Sequence, residues 1–303
     1  MVDVDVIVPT FGRDHRINAT LQMLLKQSPL PVRVIVVNQT LGILGPATAT
    51  KLAYEMHKVD LVWLNRSEAS LCGARNDALR VSVSPICLFL DDDILVPSDL
   101  VGKHWNSYQY DKDLAALGGQ VWHRLSLTAI DDLNLKCPEL GTTKASMLTV
   151  PVQSGPLFGC HFSIRREIAL SIGGWDESFI GSANWEEGDL MNRLTLQGMK
   201  FIWHPDIWLI HIKEPMGGCR IPGNQSFQEW TKTANFFLYK YRYPKEKSWK
   251  LVLLTSLRSG PLRKENILNP LRWPTAWCGL FKGWFLGYRR AHNPILISSN
   301  KQK

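Results

Sequence analysis

ICLFLDDDI, residues 86–94, carries an almost wholly apolar run straight into three consecutive carboxylates. Like charges this close raise one another's pKa unless something positive sits among them. Two readings are open: a polar turn splayed into water, or a cluster that holds a cation. The choice depends on where in the fold the run ends. Upstream, GARNDALRV reads as a helix, LVWLN as a strand, AYEMHK as a helical segment and VRVIVVNQT as a near-continuous β-branched strand. Such strands are buried on both faces of a parallel sheet. Further upstream, NATLQMLLKQS spaces Leu21, Leu24 and Leu25 as a helix does, and DVDVIVPTFGR is a strand ending in a Pro/Gly-marked loop. Strands alternating with helices predict an α/β sheet with its ligands at the carboxyl ends of the strands. ICLFL is then the fourth strand, and its carboxylates stand at the edge of a site.

Downstream the pattern is mixed. GCHFSIRRE reads as a strand entering a helix and GGWDESF as a turn-rich loop. NWEEGDLMNRLTLQG is a helix with Asn184 as cap, acids in its first turn, Leu190 and Leu194 four apart, and Gly198 closing it. Asp189 and Arg193, also four apart, are expected to pair on the helix surface. KFIWHPDIWLIHIKEP predicts two short strands around Pro205.

The 303 residues carry a formal charge of +8, unevenly placed. From Met216 onward 16 Lys/Arg face 3 Asp/Glu, a balance of +13; the preceding residues hold 19 against 24, or −5. The acidic body argues against a nucleic-acid-binding protein, while the basic tail suits an anionic surface such as phospholipid. Six cysteines (Cys72, Cys87, Cys137, Cys160, Cys219, Cys278) form no C-x-x-C pair and no zinc-like spacing, and read as reduced thiols in a cytoplasmic protein. MVDVDVIVP lacks the basic start of a signal peptide, and no apolar run reaches the roughly 18 residues of a spanning helix.

Residues 4–214 resemble the inverting nucleotide-sugar glycosyltransferases of family 2. The resemblance is carried, in the family's order, by VIVPTFGR, VVNQT, GARN, FLDDDI, GGWDESF, WEEGDLMNRL and the late histidine of LIHIKEP. WEEGDLMNRLTLQGM is also similar to the carboxyl-terminal part of galactosyltransferases. The resemblance implies the GT-A fold, a single Rossmann-like mixed sheet flanked by helices, as a catalytic domain over residues 1–215. Residues 216–303 then form a mostly helical basic extension.

What the resemblance implies at individual residues follows the chemistry of a diphosphate leaving group. Such a group departs with two negative charges, and Mg²⁺ or Mn²⁺ held by a few carboxylates neutralises them. The family's Asp-x-Asp falls on Asp91, beside the nucleotide ribose, and Asp93, on the metal, with Asp92 as the variable middle position. His211 matches the late metal-binding histidine. A lone histidine in an apolar strand is more often a core residue, and His204 competes for the role. The acceptor's proton needs a base, and the family places it on Glu187, with Glu186 and Trp185 toward the acceptor sugar. Acids at a helix N-terminus are also favoured by the dipole alone. Glu stands here where the family has Asp, one methylene longer. Pro9, Thr10 and Arg13 match the nucleotide loop. Asn38 replaces the family's base-reading acid, and it can both donate and accept. Arg75 either contacts the diphosphate or caps structure; Trp175 and Asp176 either face the acceptor or belong to an ordinary turn around a buried Trp.

In the tail, WPTAWCGLFKGWFLGYRR sets Trp273, Trp277, Phe281, Trp284 and Tyr288 on one helical face, with Lys282, Arg289 and Arg290 alongside. This fits an interfacial membrane helix; a helix docked on the catalytic domain is the other reading, and Gly279, Gly283 and Gly287 permit close packing. The expected function is metal-dependent transfer of a sugar from a nucleotide-sugar donor to a glycan or lipid-linked acceptor, on the inner face of the plasma membrane. Two other classes compete. An Asp-based phosphohydrolase needs Thr or Val two residues beyond its second Asp, where Leu95 stands. A non-catalytic sugar- or membrane-binding relative is opposed by the intact Asp93 and Glu187.

Overall fold

The computed structural model describes residues 1–42, 45–124, 142–144, 148–212, 218, 225–246 and 248–296. The boundary expected at 215/216 lies outside them. The first half alternates as its hydrophobic pattern requires: β1 (Val2–Thr10), α1 (Asp14–Leu24), β2 (Pro31–Asn38), α2 (Thr48–Met56), β3 (Asp60–Asn65), α3 (Leu71–Val81) and β4 (Ile86–Leu90). There follow β5 (Ile94–Leu95), α4 (Leu100–Tyr110), β6 (Leu114–Arg124), β7 (Thr142–Lys144) and β8 (Val152–Gln153). The body ends with β9 (His161–Arg165), α5 (Arg166–Ser171), α6 (Glu186–Leu196) and β10 (Lys200–His211).

These strands form one mixed sheet in the order β3-β2-β1-β4-β9-β6-β10-β5, with β7 beside β6 and β8 beside β10. β1, β2, β3 and β4 pair in parallel, and β9 runs antiparallel between β4 and β6. Side chains alternate along β1, so Val4, Val6 and Val8 join the core under α1, α2 and α4, whereas Ile7 points to the other layer. That second layer contains α3, α5 and α6 and buries Phe89, Phe162, Leu190 and Leu194. Asp5, buried in mid-strand, is satisfied by Val83 N–H, Ser84 N–H and the Ser84 hydroxyl, which fixes the turn into β4.

Three local expectations are revised. KFIWHPDIWLIH is one strand, not two; Pro205 is accommodated by a register shift against β6 between His204 and Trp208. Asn184 does not cap α6. Trp185 is the capping residue, in the left-handed region at φ +76° and without a side-chain cap. Asp189 and Arg193 do pair, 2.9 Å apart, but Asp189 is buried and also engages Arg242 and the Tyr243 hydroxyl.

The extension adds α7 (Gln225–Arg242), α8 (Trp249–Ser259), α9 (Lys264–Ile267), a 3₁₀ turn (Pro270–Arg272) and α10 (Trp273–Ala291). Leu238 and Tyr239 of α7 belong to the second-layer core with Leu190 and Leu194. Asn235 exchanges two hydrogen bonds with the backbone of Ile180, and Ile295 N–H donates to Asp176. α10 packs through one face and leaves the other exposed. Ala276, Leu280, Gly283 and Gly287 are buried against α7, while Trp273, Trp277, Phe281, Trp284 and Tyr288 are exposed. Among the described residues, no helix is long and apolar enough to cross a membrane.

Candidate active site

The carboxylate triplet begins where β4 ends, and its three members have different fates. Asp92, the supposed variable position, is buried. It accepts from the Thr10 hydroxyl at 2.6 Å and from Arg13 Nη1 at 2.8 Å, and its carbonyl accepts from the Thr20 hydroxyl. Burial pushes its carboxyl up to about 6, against the pull of Arg13 and Thr10. Asp93 is also buried, with Oδ2 3.1 Å from Arg13 and Oδ1 3.0 Å from His211 Nε2. Asp91 keeps an exposed edge, its Oδ2 3.6 Å from the same His211 nitrogen. The positive groups that the triplet requires are therefore one guanidinium and one imidazole.

His211 reaches this point because the end of β10 pairs with Ile94 of β5, directly after the triplet. His204 lies seven residues back on the same strand, its Nδ1 accepting from Asp206 N–H. Cys160, which no motif indicated, comes in from the turn before β9. The Asp91 carboxylate, the Cys160 thiol and the His211 imidazole offer ligand atoms all within 4.8 Å of one another; no other such group occurs among the described residues.

Beside this cluster opens a cleft of about 190 Å³, lined by Pro9, Thr10, Phe11, Arg13, Gln39, Ser70 and Leu71 together with Asp91, Asp92 and His211. Gln39 takes the position expected of Asn38, its side-chain oxygen accepting from Ser70 N–H. Asn38 itself is buried and bonded to Asn65 and Thr40, so its amide secures the ends of β2 and β3. Gln39 was one residue from legible: side chains alternate along a strand, and the next position faces the cleft.

The acid pair opens α6. Its entry turn takes Gly181, Ala183 and Trp185 through positive φ, a costly backbone for the two non-glycine residues and a common feature of functional sites. Glu186 is buried and ion-paired with Arg75, whose Nη2 also donates to the Gly159 carbonyl at 2.7 Å. Arg75 is thus a structural cation behind the site and does not line the cleft. Glu187 accepts from Gly159 N–H at 3.1 Å. A Cβ at Gly159 would stand 2.5 Å from Glu187 Oε1 and 2.9 Å from Arg75 Nη2, so only glycine fits. Burial raises the carboxyl of Glu187, with Arg75 opposing.

Trp185 packs its indole edge-on to Phe236 and at a tilt against Tyr239 of α7, and lines an apolar recess of about 200 Å³ with Leu251 and Val252. The other acceptor candidates face inward. Trp175 is wholly buried between Phe89 and Phe162, and its carbonyl accepts from Asn76. Asp176 is buried, receives Ser178 and Ile295 N–H, and ion-pairs with Arg242. It ties the extension to the body.

The comparison with family models decides what this arrangement belongs to. The model described as glycosyl transferase family 2 matches residues 5–169, from β1 through the triplet and Cys160 into α5. The chain is a member of glycosyl transferase family 2. It is accordingly a glycosyltransferase with a nucleotide-sugar donor. The fold has a counterpart in the mannosyltransferase PcManGT from Pyrobaculum calidifontis, solved in complex with GDP-Man and Mn²⁺. That likeness covers 97% of this chain and 76% of the other, at 16% identity and a TM-score of 0.52. At this identity it establishes the GT-A architecture and no more. No curated protein matches. The family match ends before α6, so the acid pair of this transferase rests on its own geometry.

Proposed function

We propose that this glycosyltransferase works with inversion and with a divalent cation, Mn²⁺ or Mg²⁺, on a glycan or lipid-linked glycan acceptor in surface polysaccharide or glycolipid synthesis. The observation that carries the reading is the dipeptide Gly159–Cys160. Gly159 holds the candidate base Glu187 and the guanidinium behind it, and the next residue stands in the Asp91–His211 cluster. Base and candidate metal site are therefore set from one rigid turn.

The donor set suits a cation. Asp91 Oδ2 and Asp93 Oδ1 both converge on His211 Nε2, at 3.6 and 3.0 Å. When bound, a divalent ion neutralises the leaving diphosphate. Pro9, Thr10, Arg13 and Gln39, whose N–H donates to the Thr10 carbonyl, line the cleft for the nucleotide. Glu187 takes the proton of an acceptor hydroxyl; the hydroxyl oxygen forms a bond to the anomeric carbon as the bond to the diphosphate oxygen breaks on the opposite face. Glu186 presents a buried Oε2 with no hydrogen-bond partner, an atom suited to receive an acceptor hydroxyl. GDP-Man in the structural counterpart supports testing a guanine nucleotide first.

The extension supports a site of action at an anionic membrane surface. Of 26 exposed large hydrophobic residues among those described, fourteen lie between Trp249 and Tyr288. A soluble monomer rarely gathers apolar surface this way without a partner. Lys250, Arg258, Lys264, Arg272, Lys282 and Arg289 are exposed along the same helices, which favours the inner leaflet over a neutral surface.

The test is product analysis with a panel of nucleotide sugars, with Mn²⁺, Mg²⁺ or EDTA. Inverted anomeric configuration and loss of turnover in EDTA are expected. Retained configuration, or turnover indifferent to EDTA, overturns the corresponding part.

A further inference from the structure

The cation site of an oxygen-ligated transferase is built for a hard ion, and carboxylates with phosphates suffice for Mg²⁺. Here a sulfur atom stands within 4.8 Å of both the Asp91 and the His211 ligand atoms. Its place is fixed from both sides. Gly159 is clamped through its N–H by Glu187 and through its carbonyl by Arg75. His161 N–H closes the turn on the Phe158 carbonyl at 2.7 Å, and β9 begins at once. Cys160 is a free thiol on this turn and is held at the cluster by the backbone. Its side chain also packs, with Phe158, against the first-layer core, which holds the sulfur in place.

We propose that Cys160 is a protein ligand of the cation, beside Asp91 and His211, and that it tunes the site to Co²⁺, Zn²⁺ and softer ions over Mg²⁺. This rests on the metal-assisted reading above. Thiolate and imidazole favour the later first-row ions and cadmium, whereas Mg²⁺ discriminates against sulfur. Binding releases the thiol proton to solvent, since the thiolate is the ligand. Zn²⁺ and Cd²⁺ are then tight competitors of Mn²⁺. Oxidation or alkylation of Cys160 is blocked by a bound ion.

The experiment uses the full chain with metal ions alone. Co²⁺ is titrated and the near-ultraviolet thiolate-to-cobalt charge-transfer absorption recorded, with Mn²⁺ and Mg²⁺ binding followed by calorimetry. Wild type, Cys160→Ser and Asp91→Asn are compared after circular dichroism shows each folded. The expected result is a charge-transfer band in wild type that both variants lose. Co²⁺ affinity is expected to drop about tenfold or more in Cys160→Ser, with Mg²⁺ affinity little changed. Cobalt bound without that band, or a band that survives in Cys160→Ser, removes Cys160 from the ligand set while metal dependence stands. No binding of any of these ions overturns this inference, while the metal-assisted reading is decided separately by turnover in EDTA.

Discussion

At the scale of the residue, the acid pair shows how one environment assigns two roles. Glu186 has a guanidinium partner and Glu187 a peptide N–H. Burial pushes the Glu186 carboxyl up to about 8 against the pull of Arg75, so Glu186 is the member held in place and Glu187 the available base. Glu187→Gln keeps shape but cannot accept the proton. Transfer is expected to fall by roughly 10²–10⁴ with nucleotide affinity unchanged, read from kcat at saturating acceptor and from nucleoside-diphosphate titration. Near wild-type turnover would pass the role to Glu186 or Asp189. The raised carboxyl of Glu187 also has a sign in pH. A base with an elevated pKa is protonated, and idle, further up the scale. The acid limb of kcat/KM should then lie above about 4.3, the ordinary glutamate value. A limb at or below that value contradicts it. Stability tells a parallel story at Arg75. Arg75→Met leaves Glu186 without its partner in the interior, a loss of up to about 3–5 kcal/mol, and Arg75→Met with Glu186→Leu should regain most of it. Denaturant unfolding of the three proteins decides whether the pair or the volume matters.

At the scale of the element, what the sequence made legible was whatever has a period. Strands β1, β2 and β4, helices α1, α3 and α6, and the placing of the triplet at a strand end all follow from alternation or helical spacing. What stayed hidden was pairing across distance. Arg75 meets Glu186 from 111 residues away, and Asp176 meets Ile295 across 119. No local spacing encodes either, so the two readings open for Arg75 and for Asp176 could not be separated from sequence, and the ion pairs tie both to the frame. Cys160 was hidden for the opposite reason, a single residue with no period at all. The glycines of α10 were legible as a stripe but not in their separate effects. A Cβ at Gly287 would come within 2.6 Å of the Ala234 carbonyl and 2.8 Å of Leu238 N, backbone atoms of α7 that cannot give way. At Gly279 the nearest atom is the Trp230 Cβ at 3.5 Å, an ordinary contact. Gly287→Ala should therefore destabilise by about 1–3 kcal/mol. Gly279→Ala should be neutral or stabilising by up to about 1 kcal/mol, from helix propensity. Equal thermal shifts for the two would show that α10 is not held on α7 as described.

At the scale of the whole molecule, the charge asymmetry and the apolar face of the extension make one argument. α10 turns its small residues to α7 and its aromatic residues outward. Between it and α8, Phe237, Trp249, Leu253, Leu280, Phe281 and Trp284 line an open groove of about 350 Å³. An aromatic surface at the headgroup boundary gains by burial of its rings, and each nearby Lys or Arg adds about 1 kcal/mol on an anionic leaflet. The full chain should therefore bind vesicles containing anionic lipid, with an affinity that falls as salt shortens the screening length. Deleting residues 270–303 is a poor probe, because it also removes the packing on Leu238 and the Ile295 bond to Asp176. The triple substitution Trp277→Glu, Phe281→Glu, Trp284→Glu changes only exposed side chains and reverses the electrostatic attraction. Co-sedimentation at low and high salt is expected to show wild type in the vesicle pellet at low salt. The triple variant should stay in the supernatant while its melting temperature and nucleotide binding match wild type. Wild type remaining in the supernatant at low salt would leave the aromatic face to another partner. Binding indifferent to the triple substitution would place the membrane contact elsewhere on the chain.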